Sequence, residues 1–410
     1  MKYGCIGEHL SHSFSKEIHN RIESYAYELC EVPKDKLDEF MTKREFYAIN
    51  VTIPYKQDVI PFLDCIDDMA KEIGAVNTIV NRDGKLYGYN TDFMGMLALS
   101  CKIGIDFKEK KVLVLGTGGT SKTAVAVAKS EGAKEIVIVS RRGGENCVTY
   151  DQAKKLHHDC QIVINTTPCG MYPQNDGMPI DLHDYPAVEG VLDAVYNPLV
   201  TRLVCEATKK GIKAECGLYM LVAQAVFAAE KFTGKAYDRK IIDRVFKETL
   251  ASKQNIVLTG MPGSGKTTVG KLLSTMTGRP FTDTDERIVE KHGDISTIFA
   301  KQGEGIFRDF ETQAVKMISE NCGQIIATGG GAILRQQNMD ALKSNGKVFF
   351  IDRPLENLIP TDDRPLANNA EAIQKRYAER YQKYCDSADV IINADCPIEQ
   401  VAQKILEKME

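Results

Sequence analysis

The chain has 410 residues, 43% of them hydrophobic and 26% charged, with a formal net charge of −4; this suits two or three globular domains, each able to bury a core. The slight negative balance and the lack of any basic run of five or more residues exclude long-range attraction to nucleic acid or an anionic membrane, and without a run of 18 apolar residues no segment spans a bilayer. Twelve cysteines are scattered with no Cys-x-x-Cys pair, and Met1 to Gly7 lacks the apolar core of a signal peptide, so free thiols in a reducing cytoplasm are expected rather than a disulfide framework or a zinc ribbon.

Residues 1–100 alternate strand-like and helix-like stretches. Ser11-His12-Ser13-Phe14-Ser15 reads as an extended segment with Ser13 and Ser15 on one side, where two hydroxyls could grip a carboxylate or a polyol; a serine cluster alone is more often a turn or a helix cap. In Asn50-Val51-Thr52-Ile53-Pro54-Tyr55-Lys56 a lysine follows a strand stopped by proline. A lysine held in a pocket can donate the proton that a developing alkoxide needs during carbonyl reduction. Asn90-Thr91-Asp92 supplies a carboxylate at the start of a helix; Asp92 could orient that lysine and bind a substrate hydroxyl, or serve only as an N-cap.

Val112–Leu115, Ile136–Val139, Ile162–Ile164 and Val191–Val195 read as buried parallel strands alternating with helices such as Thr123–Lys129. The first runs into Gly116-Thr117-Gly118-Gly119-Thr120-Ser121. A glycine turn between strand and helix lets the backbone approach a pyrophosphate at the helix N-terminus. The next strand ends in Ser140-Arg141-Arg142 with no acid at its tip; two guanidiniums there suit the 2′-phosphate of NADP better than the bare ribose of NAD, the alternative being a solvated arginine pair.

An apolar helix is expected over Leu218–Phe232 and another over about Asp238–Leu250, followed by a short polar linker, residues 251–254. A second α/β unit then begins at strand Ile256–Thr259 and continues through Ile325–Ala327, Val348–Ile351 and Val390–Ile392 to a helix over Ile398–Lys408. Its first strand leads into Gly260-Met261-Pro262-Gly263-Ser264-Gly265-Lys266-Thr267, a phosphate-binding loop. Backbone N–H groups cradle the phosphates, Lys266 reaches the β/γ oxygens and the Thr267 hydroxyl ligates Mg²⁺; Thr268 adjoins it on the helix. Asp283 and Asp285, placed at a strand end to serve two ligands or else forming an Asx turn, come next. Thr328-Gly329-Gly330-Gly331 allows close backbone approach to a ligand, and Arg308 and Arg380 offer planar forks for a carboxylate, though either alone is more often a surface ion pair.

The first 250 residues resemble shikimate dehydrogenase through Ser11–Ser15, Asn50–Lys56, Gly74–Thr78, Gly88–Asp92, Gly116–Ser121, Asp193–Pro198 and Met220–Gln224. The resemblance implies NADPH-dependent, reversible reduction of 3-dehydroshikimate to shikimate, with Lys56 and Asp92 as the catalytic pair. It implies Ser13, Ser15, Thr52, Asn77, Tyr196 and Gln224 against shikimate, and Gly217 with the Gly116–Thr120 loop facing the cofactor. Tyr219 stands where the family usually has glycine, a change that could reach the nicotinamide side. Residues 254–410 resemble shikimate kinase, which implies ATP-dependent 3-phosphorylation of shikimate. Asp283 would help hold Mg²⁺, Asp285 would bind the attacking hydroxyl, and Arg308, Gly330 and Arg380 would bind the acid. Arg364 would close over the phosphates as a lid arginine, although Ile359-Pro360-Thr361-Asp362-Asp363 before it is shorter and more acidic than the family's lid.

The expected architecture is α/β throughout. A substrate domain (1–100 and 217–250) and a Rossmann-type NADP domain (101–216) precede the linker (251–254) and a P-loop kinase domain with a parallel sheet (255–410). NADP, ATP and Mg²⁺ are the implied cofactors, with small-molecule substrates and neither nucleic acid nor membrane as partner. The other readings are an active dehydrogenase with an impaired kinase, or a catalytically dead sensor of shikimate or quinate. The intact Lys56, Asp92, Lys266, Asp283, Asp285 and Arg308 argue against the sensor.

Overall fold

The computed structural model describes residues 1–10, 13–358 and 370–409. Ser11, His12 and the lid with Arg364 lie outside the described residues. The chain forms two compact units, Met1–Thr249 and Leu250–Glu410.

The first unit holds two sheets. One comprises β1 (Tyr3–Gly7), β2 (Tyr27–Glu31), β3 (Ala48–Val51), β4 (Cys65–Ile66), β5 (Thr78–Arg82) and β6 (Lys85–Tyr89), with α1 (Ser15–Ile22), α2 (Leu37–Lys43), α3 (Asp68–Ile73) and α4 (Asp92–Ile103). Its strand order is β2-β1-β3-β5-β6-β4, with β5 antiparallel to both neighbours. Ile6, Ile49, Val51 and Ile79 pack with Met41, Phe46 and Tyr55 in the core on one face. The second sheet, β7 (Lys111–Leu115), β8 (Glu135–Val139), β9 (Ile162–Asn165), β10 (Gly190–Asp193) and β11 (Lys213–Glu215), carries α5 (Gly119–Ser130), α6 (Tyr150–Leu156) and α7 (Arg202–Lys209). It is wholly parallel, in the order β11-β10-β9-β7-β8. The order reverses beside β7, the crevice where open α/β sheets bind ligands, and the Gly116 loop sits there.

Helix α8 (Leu218–Thr233) buries eleven of its sixteen residues, as a helix apolar on most sides must. It packs on α4 and α1. Contact with α4 is close because Gly95 has no side chain: a Cβ there would lie 2.7 Å from the Met220 carbonyl oxygen and 2.9 Å from Gln224 Cβ. Tyr219 does not turn toward a nucleotide. Its hydroxyl donates to Asp243 at 2.8 Å and its ring meets Phe246 edge-on, so the departure from glycine is absorbed in packing against α9 (Lys240–Lys253). That helix includes three of the four residues read as a linker, 251–253.

The second unit is a parallel sheet of β12 (Asn255–Thr259), β13 (Phe281–Asp283), β14 (Ile325–Ala327), β15 (Gly346–Asp352) and β16 (Val390–Asn393), ordered β13-β14-β12-β15-β16. Helices α10 (Lys266–Thr277), α11 (Thr284–His292), α12 (Ile295–Ser319), α13 (Gln336–Asn345), α14 (Ala370–Ser387) and α15 (Ile398–Glu407) complete it. Alternation along β12 serves both faces: Val257 joins Ile326, Val348 and Phe350 in one core, while Ile256 and Leu258 join Ile325, Phe349 and Ile351 in the other. The chain inside α12 breaks at Gly303, whose φ of +82° is left-handed.

One expectation about local structure fails. Ser13 and Ser15 are not in an extended segment; Ser15 is the first residue of α1, and its N–H donates to Ser13 Oγ at 3.3 Å. The turn wins because the Ser13 hydroxyl satisfies one of the orphan N–H groups at the helix start locally.

Gly95→Val should force α4 and α8 apart at a site with no room, destabilising the first unit by about 1–3 kcal/mol. Urea unfolding followed by the circular dichroism of the full chain would show an early transition moving to lower denaturant.

Candidate active sites

Strand β3 delivers the first site. Past its end, Thr52 N–H donates to the Ile6 carbonyl at 3.0 Å, the Tyr55 hydroxyl to the Val32 carbonyl at 2.6 Å, and the Lys56 carbonyl accepts from Val76 N–H at 2.7 Å. The backbone around Lys56 is thus tied on both sides. Its Nζ lies 2.6 Å from Asp92 Oδ2, and the two side chains are only 13% and 9% exposed. Asp92 is not an N-cap: Thr91 occupies that position, and Asp92 is the first helical residue. Its carboxylate is therefore available to the lysine, near a helix end that favours negative charge.

A polar network lies beside the pair. Asn77 Oδ1 accepts from the Thr91 N–H at 2.7 Å, and Asn77 Nδ2 donates to Thr91 Oγ1 at 3.1 Å. Gln224 Oε1, from α8, accepts from Thr91 Oγ1 at 3.3 Å and from Asn77 Nδ2 at 3.4 Å. Behind them Tyr27 donates to Asn50 at 2.7 Å, and Asn50 donates to Thr78 at 3.2 Å. Tyr27, Asn50, Thr78 and Thr91 were not singled out from sequence, although three of them lie inside the quoted motifs. Buried Cys5 lies in register with Asn50, and burial pushes its thiol up to about 12 against the pull of Lys56. Thr52 packs over Gly7, where a Cβ would sit 2.6 Å from its Cγ2. Tyr196 meets Phe14, next to Ser13 and Ser15, with ring centroids 5.3 Å apart. Its loop is held by the buried Asp193 carboxylate, which accepts from Val195 N–H at 3.0 Å, Thr201 Oγ1 at 2.8 Å and Asn165 Nδ2 at 2.9 Å. Burial raises that carboxyl to about 6 in spite of those donors.

The glycine turn comes close to this cluster. Gly118 caps α5, and Gly119, Thr120 and Ser121 already belong to the helix. A Cβ on Gly119 would lie 3.4 Å from Lys56 Cδ, so the start of the nucleotide-binding helix adjoins the lysine stem. Ser121 Oγ donates to the Gly116 carbonyl at 2.7 Å, closing the turn that contains Thr117. Because Leu115 and Val139 are in register, Ser140 and the exposed Arg141 and Arg142 emerge beside that turn. Gly217 caps α8 where any side chain would strike the Ala194 carbonyl.

In the second unit the loop from Gly260 to Gly265 leads into α10. Lys266 Nζ donates to the Gly260 and Met261 carbonyls, both at 2.9 Å. Thr267 Oγ1 donates to Asp283 Oδ2 at 2.8 Å, and Asp283 Oδ1 accepts from Asp285 N–H at 2.9 Å. Asp283 thus caps α11 and holds Thr267 together, while Asp285 is in the first turn of α11; the two acids are divided between strand end and helix, not along a strand. Buried Ser264 closes the loop under Gly260, and Thr268 is exposed.

The glycine triplet is where these parts meet. A Cβ on Gly329 would strike Asp285 Oδ1 and lie 3.0 Å from Glu311 Oε1; one on Gly330 would lie 3.0 Å from the Pro262 ring; one on Gly331 would strike the Arg308 guanidinium. Arg308 Nη1 donates to Glu311 Oε2 and its Nη2 to Glu304 Oε1, each at 2.9 Å. Arg380 Nη1 and the Tyr384 hydroxyl both donate to the Gly330 carbonyl, at 3.0 and 2.6 Å. Arg308 and Arg380 are buried, unlike surface ion pairs. Glu311, Glu304 and Tyr384 were not assigned a role from the sequence, although each lies three or four residues from Arg308 or Arg380 on the same helix.

A dinucleotide-type crevice beside a buried lysine–carboxylate pair, and a P-loop beside two buried arginines, define an oxidoreductase joined to a phosphotransferase. Residues 5–79 match the family model for the shikimate dehydrogenase substrate binding domain, and residues 262–410 match that for shikimate kinase. A shikimate dehydrogenase (NADP(+)) of Clostridium beijerinckii is 39% identical over 262 residues, covering 60% of this chain and 96% of that protein. Shikimate dehydrogenase 1 of Peptoclostridium difficile superposes with a TM-score of 0.57 at 33% identity, over 60% of this chain and 97% of that one. The Thermus thermophilus shikimate 5-dehydrogenase in complex with NADP(H) and shikimate gives 0.54 at 26% identity, over 61% and 99%. The chain belongs to the shikimate dehydrogenase family, with a shikimate kinase domain fused to it.

Burial pushes the Glu311 carboxyl from its ordinary 4.5 up to about 7, against the downward pull of Arg308. The folded chain therefore holds this proton more tightly than the unfolded chain. The resulting stability is complete below the unfolded value and is lost as pH rises through about 7. Glu311→Gln keeps an acceptor for Arg308 but cannot ionise; thermal unfolding of the second unit should depend less on pH between about 5 and about 8 than in the wild type.

Proposed function

We propose that this chain carries out two consecutive reactions on one compound: NADPH-dependent, reversible reduction of 3-dehydroshikimate to shikimate in the first unit, and ATP-dependent phosphorylation of shikimate to shikimate 3-phosphate in the second. The single observation that carries the reading is that the two family matches, on separate units of one chain, converge on the same acid. The geometry supports it at both ends, with a proton donor beside one nucleotide crevice and two guanidiniums beside the other. In this reading residues 1–100 with 217–250 form the substrate domain, 101–216 the NADP domain and 255–410 the kinase, and the reactions take place in the cytoplasm.

The residues present fit NADPH, which when bound supplies the hydride. Lys56 donates its proton to the oxygen that becomes the alkoxide, and Asp92 orients the ammonium and accepts a hydrogen bond from a substrate hydroxyl. Ser13, Ser15, Thr52, Asn77, Tyr196 and Gln224 bind the acid and its hydroxyls. Gly116 to Thr120 and Gly217 line the pyrophosphate and nicotinamide path, with Ser140, Arg141 and Arg142 at the 2′-phosphate. In the kinase unit Thr267 and Asp283, already bonded to each other, fit a hydrated Mg²⁺, which when bound spreads the charge of the phosphates. Asp285 accepts the proton of the attacking hydroxyl. Arg308, Arg380 and the Gly330 backbone hold the substrate. Gly263, Ser264, Gly265, Lys266 and Thr268 line the phosphate cradle, and Arg364 is assigned to the phosphates by motif. Catalysis in this unit is positioning and electrostatic stabilisation.

A coupled assay tests the whole: loss of NADPH absorbance with 3-dehydroshikimate, then release of ADP only once shikimate has formed. Failure of either signal from a folded chain would remove that activity from the reading. Lys56→Ala should lower reduction roughly 100- to 10,000-fold while phosphorylation of added shikimate is unchanged, and Lys266→Ala should do the reverse. For the cofactor, Arg141→Ala combined with Arg142→Ala should raise KM for NADPH roughly tenfold or more and leave KM for NADH nearly as it was; equal effects on both would place the arginines away from the 2′-phosphate.

A further inference from the structure

Arg353 follows the end of β15 directly, where that strand meets the phosphate loop. A Cβ built on Gly260, the first loop residue, would lie 2.9 Å from the Ile351 carbonyl oxygen, so the strand end and the loop are in contact. From there the side chain reaches the other end of the loop. A Cβ on Gly265, the residue that caps α10, would lie 3.7 Å from Arg353 Nη1. Gly265 has a φ of +91°, a left-handed conformation that also favours glycine. The guanidinium therefore lies against the backbone of the phosphate cradle at the positive end of a twelve-residue helix.

Its bonding is unusual for a half-buried arginine. Arg353 Nε is shut off from solvent and has no hydrogen-bond partner among the described residues. Arg308, in contrast, is held between two carboxylates, and Lys266 is bonded to two loop carbonyls. The adjacent acid is engaged elsewhere: Asp352 Oδ2 accepts from the Tyr381 hydroxyl at 3.1 Å. An N–H buried without an acceptor is costly, and a cation placed beside a helix N-terminus is repelled by the helix dipole. The repulsion is offset by a polyanion that contacts guanidinium and loop together. A guanidinium fork matches phosphate oxygens in a way that an ammonium does not.

We propose that Arg353 is a further nucleotide-binding residue of the kinase unit, its guanidinium donating to the phosphate chain of the nucleoside triphosphate across Gly265. This rests on the kinase reading above. The phosphate chain is thereby gripped from the β15 side as well as by the loop amides and Lys266. The substrate acid, held at the glycine triplet by Arg308 and Arg380, is not contacted.

Calorimetric titration of the full chain with Mg-ADP, and separately with tripolyphosphate as a probe that lacks the base, tests the assignment. Arg353→Gln should weaken both roughly ten- to a hundredfold and raise KM for ATP in step, while KM for shikimate in phosphorylation stays within about twofold. Arg353→Lys retains the charge but loses the fork, and should fall between. Unaltered ADP affinity in both variants would overturn the proposal, as would loss of ADP affinity with tripolyphosphate binding intact, since the contact would then be to the base. A wild-type chain that bound no ADP would take down the kinase reading and this one together; tight wild-type binding with an unaffected glutamine variant would take down this one alone.

Discussion

The site of the second unit depends on the absence of a β-carbon where charged side chains must come up against backbone. At Gly329 and Gly331 the space left open is filled by Asp285, Glu311 and Arg308, whereas a Cβ on Gly119 would meet the stem of Lys56 only at an ordinary contact distance of 3.4 Å. A methyl group at Gly331 would have to move a guanidinium that is itself bonded to two carboxylates, so the damage would spread to Glu304 and Glu311 rather than stay local. Gly329 and Gly331 are therefore not interchangeable with alanine, even where their backbone angles would permit it.

Once that proximity is allowed, electrostatics decides the rest. Lys56 and Asp92, like Arg308 and Glu311, are nearly removed from water, and each charge is tolerable only because its counter-charge is within hydrogen-bond distance. Such pairs contribute little to net stability. What they contribute to chemistry is orientation: a lysine fixed by Asp92 presents its proton in one direction. Asp283 shows a similar economy. One carboxylate caps α11 with one oxygen and receives Thr267 with the other, which ties the phosphate loop to the helix that carries Asp285.

The strands and the two nucleotide turns were legible because their signals are local: buried parallel strands are continuous apolar runs, and glycine turns sit between a strand and a helix in both units. The pairing of Lys56 with Asp92 was legible only through a motif, because 36 residues separate them and no periodicity links them. What could not be read was set by tertiary contact. The Tyr219 side chain was free in sequence terms to face a cofactor and instead found Asp243 and Phe246. Ser13 and Ser15 read as an extended pair, yet a helix begins between them. Residues 251–253 look like a polar linker because the composition of a helix's half-buried last turn is the same. Glu311 was missed since a glutamate three residues from an arginine reads as an ordinary exposed helix pair until its burial is known.

Cys5 pairs in register with Asn50 of the polar network, and its surroundings hold the sulfur as the protonated thiol. Peroxide and alkylating agents attack thiolates that they can reach. This sulfur is therefore shielded both by its protonation and by its burial, while Cys65 and Cys101 stand exposed on the surface. Oxidative stress would mark the outside of this protein first and leave the reducing centre chemically intact.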